Sequence, residues 1–190
     1  MTEIVVFTEE PSARIIGESL VETLGYGRRT LVLQHDGKSN LERSFPRKIE
    51  NWASPEPPRF VVLRDNDGGD CKTLKARLLT LTPRRVVARV KIRIVMQELE
   101  SWYLGDLDAL WRAGLIAREV AEAQRRKAIL KNPDAIQNAK IFLKTKIVAG
   151  GQIELARRIG PHLKIADNRS RSFHAFVGAL RWAAGESDSP

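Results

Sequence analysis

Phe60-Val61-Val62-Leu63-Arg64-Asp65-Asn66-Asp67-Gly68-Gly69-Asp70 is the stretch that decides the fold. Four β-rich apolar residues in a row read as a strand, and the Asp/Asn/Gly run directly after it reads as a turn. Upstream, Ile4 to Thr8 has the same character, and Leu31-Val32-Leu33 supplies another strand between them. Pro11-Ser12 opens a helix, with Ile15, Ile16, Leu20 and Leu24 at helical spacing and Gly25 and Gly27 ending it. A second helix is expected from Ser39 through Trp52, before Pro55, Pro57 and Pro58 break the chain. Downstream, Lys72 to Leu81 forms a third helix. Val86 to Val95 gives a fourth strand, with a late start and an exposed face because Arg89, Lys91 and Arg93 alternate with Val90, Ile92 and Ile94.

Strands alternating with helices predict parallel βαβ units with right-handed crossovers, hence an α/β fold. After Glu98 the pattern changes. Leu99 to Trp111, Ile116 to Ile129, Pro133 to Ile147, Ile153 to Ile159 and Ser172 to Ala184 all read as helices. The expected organisation is an α/β core over residues 1–100, a helical region packed on it over residues 101–184, and a frayed tail at residues 185–190.

In an open parallel sheet the carboxyl ends of the strands define the ligand crevice, and the acidic residues fall there. Asp65 and Asp67 follow the third strand, and Glu9 and Glu10 follow the first. Carboxylates gathered in one place repel each other, and a hard dication such as Mg²⁺ or Mn²⁺ is a usual relief. Glu9, Asp65 and Asp67 are the expected metal ligands, with Glu10 the spare. The bland alternatives are a solvated turn for the aspartates and helix N-terminal charge stabilisation for a glutamate. Glu98 and Glu100 follow the fourth strand and reach the same edge; each is a candidate second ligand or water-positioning group, and equally a candidate for capping or arginine pairing. Asp106 is a weaker candidate.

Two motifs fail on spacing. Gly37-Lys38-Ser39 ends like a phosphate loop, but the upstream glycine position is Val32. Asp65 to Asp70 starts like a calcium loop, but Asp70 stands where that loop needs glycine. No nucleophilic triad links Ser12, Cys71, His35, His162 and His174.

The chain has 190 residues, 32 Lys+Arg against 23 Asp+Glu, and a net charge of +9. Residues 1–100 carry 17 basic and 14 acidic residues and residues 101–190 carry 15 and 9, so the excess is +3 and +6. That balance favours a polyanionic partner over a merely basic surface. Lys38, Arg64, Arg169 and Arg171 are the candidate phosphate contacts, the last two within Asn168-Arg169-Ser170-Arg171-Ser172-Phe173 at a helix start. One cysteine, Cys71, excludes an internal disulfide and suits a reducing compartment. With no signal-peptide pattern and no apolar run long enough to span a bilayer, the expected location is the cytoplasm.

The acidic pattern resembles a Toprim-type catalytic domain. Thr8-Glu9-Glu10-Pro11-Ser12 stands for that family's glutamate after the first strand, and Asp65-Asn66-Asp67 for its Asp-x-Asp after the third. The glycine usual after the first glutamate is Glu10 here, a change at the point where substrate approaches. Over nearly its full length the chain is similar to a bacterial family, domain of unknown function 4276. The matching stretches are Glu9-Glu10-Pro11-Ser12-Ala13, Gly37 to Glu42, Phe60 to Cys71, Glu98 to Leu104, Asn132-Pro133-Asp134 and Asn168 to Phe173. The resemblance implies a four-stranded, mainly parallel sheet and a metal used on phosphodiester bonds. It also implies an ATPase partner, of the kind found in overcoming-lysogenisation nucleases, in bacterial defence or in DNA or RNA processing. The leading expectation is a metal-dependent nuclease; the alternatives are a non-catalytic nucleic-acid-binding subunit of an ATPase complex and a phosphohydrolase of small nucleotides.

Overall fold

The computed structural model describes residues 2–186; residues 187–190 of the expected tail lie outside the described residues. Four strands, β1 (Ile4–Thr8), β2 (Thr30–Gln34), β3 (Arg59–Asp65) and β4 (Val90–Val95), form one sheet in the order β2-β1-β3-β4. Every pairing is parallel, with Val6 opposite Val32 and Val61, and Val62 opposite Ile92. The helices α1 (Pro11–Thr23), α2 (Gly37–Glu50) and α3 (Cys71–Thr80) make the crossovers. After β2 the chain passes back over β1 to start β3 on the other side. The topological switch point therefore lies between the carboxyl ends of β1 and β3, where open α/β sheets place their ligand crevice.

The period-2 alternation of strand side chains divides the core between two faces. Val5, Phe7, Phe60, Val62, Val90 and Ile92 pack with Leu41, Phe45 and Ile49 of α2 and Leu78 of α3. The Phe7 and Phe60 rings stack at 6.1 Å, and truncating such a buried phenylalanine costs about 3–5 kcal/mol. Ile4, Val6, Val61, Leu63 and Val95 face the other way, onto α1 and the second half of the chain.

That half is helical, in shorter pieces than periodicity predicts: α4 (Glu100–Gly105), α5 (Leu107–Arg112), α6 (Arg118–Arg125), α7 (Ala139–Lys146), α8 (Gln152–Ile159) and α9 (Arg171–Ala183). The expected helix from Leu99 to Trp111 is two helices. Asp106 leaves helical backbone and its carboxylate accepts the Ala109 N–H at 3.0 Å, starting α5. The expected helix from Pro133 to Ile147 begins late because Asn138 sits in left-handed backbone at φ 53°. Likewise the fourth strand starts at Val90, after a 3₁₀ stretch over Arg84–Arg89.

β4 is an edge strand, as its charge alternation suggested, but that charged face is covered. α9 packs across β4 and β3. Arg93 donates to the Ala175 carbonyl at 2.8 Å, and the Lys91 ammonium lies 4.6 Å from the Trp182 ring centroid. Long basic side chains thus serve as packing under a helix, their stems buried and their heads partnered. Among the described residues no helix is long and apolar enough to cross a membrane.

Candidate metal centre

The carboxyl ends of the strands are laced in two pairs, β1 to β2 and β3 to β4, before any acidic side chain is considered. The Glu9 carbonyl accepts the Gly37 N–H at 2.9 Å, an approach that turns the backbone at Gly37 to φ +80°, which glycine adopts without strain. The His35 N–H donates to the Thr8 carbonyl at 3.0 Å, joining the ends of β1 and β2. Asn66, 5% exposed, ties β3 to β4: its N–H donates to the Val95 carbonyl, and its side-chain oxygen accepts the N–H of Gln97 at 2.6 Å and of Gly68 at 3.2 Å. Its amide also donates to the Gly69 carbonyl at 2.9 Å, closing the acidic turn on itself.

On this frame the structure brings acids from the ends of three strands, β1, β3 and β4, to one edge. Glu9 accepts the backbone N–H of Asp65 through Oε2 at 3.4 Å. Asp65 is half-buried, and burial, then the charges of Glu9, Glu10, Glu100 and Asp67, push its carboxyl well above the usual range. Burial likewise raises Glu9, against the opposing pull of the Arg64 guanidinium. Glu100, the first residue of α4, is 4% exposed; burial raises it, while Gln152 donates to its Oε1 at 3.3 Å. Glu10 is the N-cap of α1 by position, yet its side chain takes the Ser12 hydroxyl at 2.5 Å and leaves the helix backbone uncapped.

Other expected residues point elsewhere. Asp67, in left-handed backbone at φ 50°, pairs with Lys38 at 3.2 Å and Arg64 at 3.5 Å. Glu98 accepts the Lys140 N–H at 2.9 Å, at the start of α7. The Arg64 side chain is only 7% exposed and is held by Glu42 at 3.1 Å, so it is an internal counter-charge rather than a surface contact. Glu42 in turn grips Arg77 through both oxygens, at 2.6 and 2.8 Å.

Asn168 to Phe173 is also structural. Ser170 caps α9 by accepting the Phe173 N–H at 3.1 Å, and the buried Asp134 carboxylate accepts from Ser170 Oγ at 2.6 Å and from the Ser172 N–H at 2.9 Å. The anion at this helix start is therefore the chain's own. Arg169 lies exposed beside Asp106, Asp108 and Asp167, whereas Arg171 lines a groove of about 650 Å³ with Lys72 and Lys75.

Several residues of the site escaped sequence reasoning. Asn66 and Glu42 position the acidic turn and its arginine, and nothing in their spacing marks them. Tyr103 carries a signal, standing three residues after Glu100 and so on the same face of α4. It is 1% exposed and its hydroxyl has no hydrogen-bond partner among the described residues.

The donor set fits a hard divalent cation: clustered carboxylates whose mutual repulsion is only partly offset by one arginine. Among the described residues, no three acid, histidine or cysteine side chains converge at ligating distance, and Asp67 and Glu98 are engaged elsewhere.

A family model described as Domain of unknown function (DUF4276) matches residues 10–181. No curated protein matches the chain in sequence. Among solved structures, the C-terminal region of the Burkholderia pseudomallei OLD protein is similar with a TM-score of 0.63 at 17% identity, covering 97% of this chain and 98% of that one. The C-terminal region of the Xanthomonas campestris pv. campestris OLD protein is similar with a TM-score of 0.56 at 15% identity, covering 97% of each chain. At these identities the likeness is one of fold.

Proposed function

We propose a function for this chain from the premise that it belongs to the family described as Domain of unknown function (DUF4276): it is a Toprim-like, metal-dependent phosphodiesterase acting on nucleic acid. The observation that carries the reading is the position of Asp65, at the switch point of the sheet and in the field of Glu9, Glu10, Glu100 and Asp67. An arrangement so unfavourable to its own charges is retained at functional sites more readily than in a passive core.

Glu9 and Asp65 would hold Mg²⁺ or Mn²⁺, joined by Asp67 on release from Lys38. The ion, when bound, supplies charge stabilisation at a phosphate oxygen and lowers the pKa of water. Glu100, buried beside the cluster, would complete the ligand set. Arg64 limits the repulsion that the acids exert on one another, and Glu42 keeps it there. Lys38, freed from Asp67, and Arg171, with Lys72 and Lys75 in the groove, draw the polyanion toward this edge. The likeness to C-terminal regions of OLD proteins supports this reading at the level of fold, and an ATPase partner would fit it.

The test is cleavage of a panel of DNA and RNA substrates with Mg²⁺ or Mn²⁺, alone and with the partner. Cleavage by the parent that is lost with EDTA and in Asp65→Ala is expected. Nucleic-acid binding indifferent to EDTA, with no cleavage under any condition, would instead identify a binding subunit.

A further inference from the structure

The hydroxyl of Tyr103 is buried without a partner among the described residues, which is costly in a structure that satisfies most of its other buried side-chain polar groups. The ring is in the core, 1% exposed, so the hydroxyl cannot turn to bulk water. Glu100, Glu10 and Asp65 are the charges that act on it. Tyr103 and Glu100 share one face of α4, a turn apart, and side chains on a helix lean toward its N-terminus, which directs the phenol back toward Glu100. A donor is thus stored, unspent, beside the acidic cluster.

We propose that Tyr103 is a positioning residue whose O–H donates to the Glu100 carboxylate when the cluster takes up its divalent cation, fixing the orientation of that carboxylate. The inference rests on the functional reading above. In the structure Glu100 accepts from the Gln152 amide at 3.3 Å. Rearrangement of the acids about an ion gives the phenol an acceptor, and a hydrogen bond to a carboxylate is one of the stronger ones available. Outer donors of this kind commonly contribute about 10–100-fold to metal affinity.

The experiment compares the full chain with Tyr103→Phe, by thermal melting in EDTA and by calorimetric titration with Mn²⁺. The ring is kept, so packing is kept. The expected result is a metal-free melting temperature equal to or above the parent's, with Mn²⁺ affinity reduced about 10–100-fold. An unchanged Mn²⁺ affinity would overturn the inference and leave the functional reading standing. A lower metal-free melting temperature would also overturn it, because the hydroxyl would then be bonded already in the resting fold. Failure of the parent itself to bind Mn²⁺ would overturn both.

Discussion

Glu9 Oε2 accepts the backbone N–H of Asp65 at 3.4 Å, joining two acidic residues that leave neighbouring strands 56 positions apart in sequence. The contact places Asp65 in the field of Glu9, whose charge adds to burial in raising the Asp65 carboxyl, while the Asp65 N–H itself pulls Glu9 down. Removing the Asp65 charge should remove that penalty. Asp65→Asn is therefore expected to stabilise the metal-free protein by about 1 kcal/mol, a rise of roughly 2–4 °C in Tm for a chain of this size. The same change should abolish Mn²⁺-dependent cleavage. Melting in EDTA and a cleavage assay on the same preparation check both halves; a destabilised variant would mean that Asp65 is structural.

The raised carboxyls also fix the sign of a pH dependence. Glu9 and Glu100 lie above their ordinary 4.5 and Asp65 well above 3.8, so the folded chain binds more protons than the unfolded one. Stability then falls as pH rises from these ordinary values through the folded pKa values, and the penalty is fully present above them. Glu42, lowered by Arg77, acts oppositely: its contribution is present above 4.5 and is lost only as pH falls below that value. Above 4.5 Glu42 no longer contributes to the slope. His35, lowered by burial, contributes oppositely as pH rises to 6.5, so melting in EDTA between pH 5 and 7 is compared between the parent and Asp65→Asn. Tm should fall with pH more steeply, or rise less steeply, in the parent, and Mg²⁺ should remove the difference; equal slopes would refute the acidic coupling.

Much of this was legible in the sequence, for definite physical reasons. Ile4 to Thr8 and Phe60 to Leu63 are short, apolar and β-branched or aromatic, and Pro11 marks a helix start by local chemistry. Strand order then put Glu9, Asp65 and Glu100 at one edge. What stayed hidden depends on side-chain partners that spacing does not encode. Asp67 faces Lys38, Glu98 serves the start of α7, and Asp134 fills the start of α9 from 36 residues away. Lys91 and Arg93 misled because a charged alternation looks the same whether it meets water or the flank of a helix.

Asn66 holds the acidic turn to β4. Asn66→Ala removes an acceptor shared by the Gln97 and Gly68 N–H groups and a donor to the Gly69 carbonyl. Leaving such groups unsatisfied costs about 1–3 kcal/mol. A fall in Tm, with faster amide exchange at Gln97 and Gly68 than elsewhere in the sheet, is the expected outcome. Uniform acceleration would instead indicate global destabilisation.

Asp134→Ala should lower Tm more than most surface substitutions. The carboxylate accepts Ser170 Oγ at 2.6 Å, the Ser172 N–H at 2.9 Å and Ser172 Oγ at 3.1 Å, and Ser172 Oγ itself accepts the Trp102 indole N–H at 2.9 Å. Its removal leaves buried donors without their charged acceptor, a loss of about 1–3 kcal/mol before the helix-start charge is counted. Chemical denaturation of both proteins measures the difference. Equal stability would mean the network re-forms through Asn168 or water.

The groove beside β4 offers the last measurement. Lys72, Lys75 and Arg171 are exposed along about 650 Å³ of concave surface that ends at Gln97, next to the acidic turn. If nucleic acid runs through it, each cation that neutralises a phosphate releases condensed counterions, and the slope of log K against log salt falls in magnitude by roughly one per residue removed. Lys72→Ala and Lys75→Ala together should shallow the slope by about two for duplex DNA and weaken binding without changing Mn²⁺ affinity. Arg169→Ala is the internal control, since that exposed side chain lines a different pocket, with Asp106, Asp108, Asp167 and Arg125, and not the groove. A slope that changes with Arg169 and not with the two lysines would put the polyanion at that pocket instead.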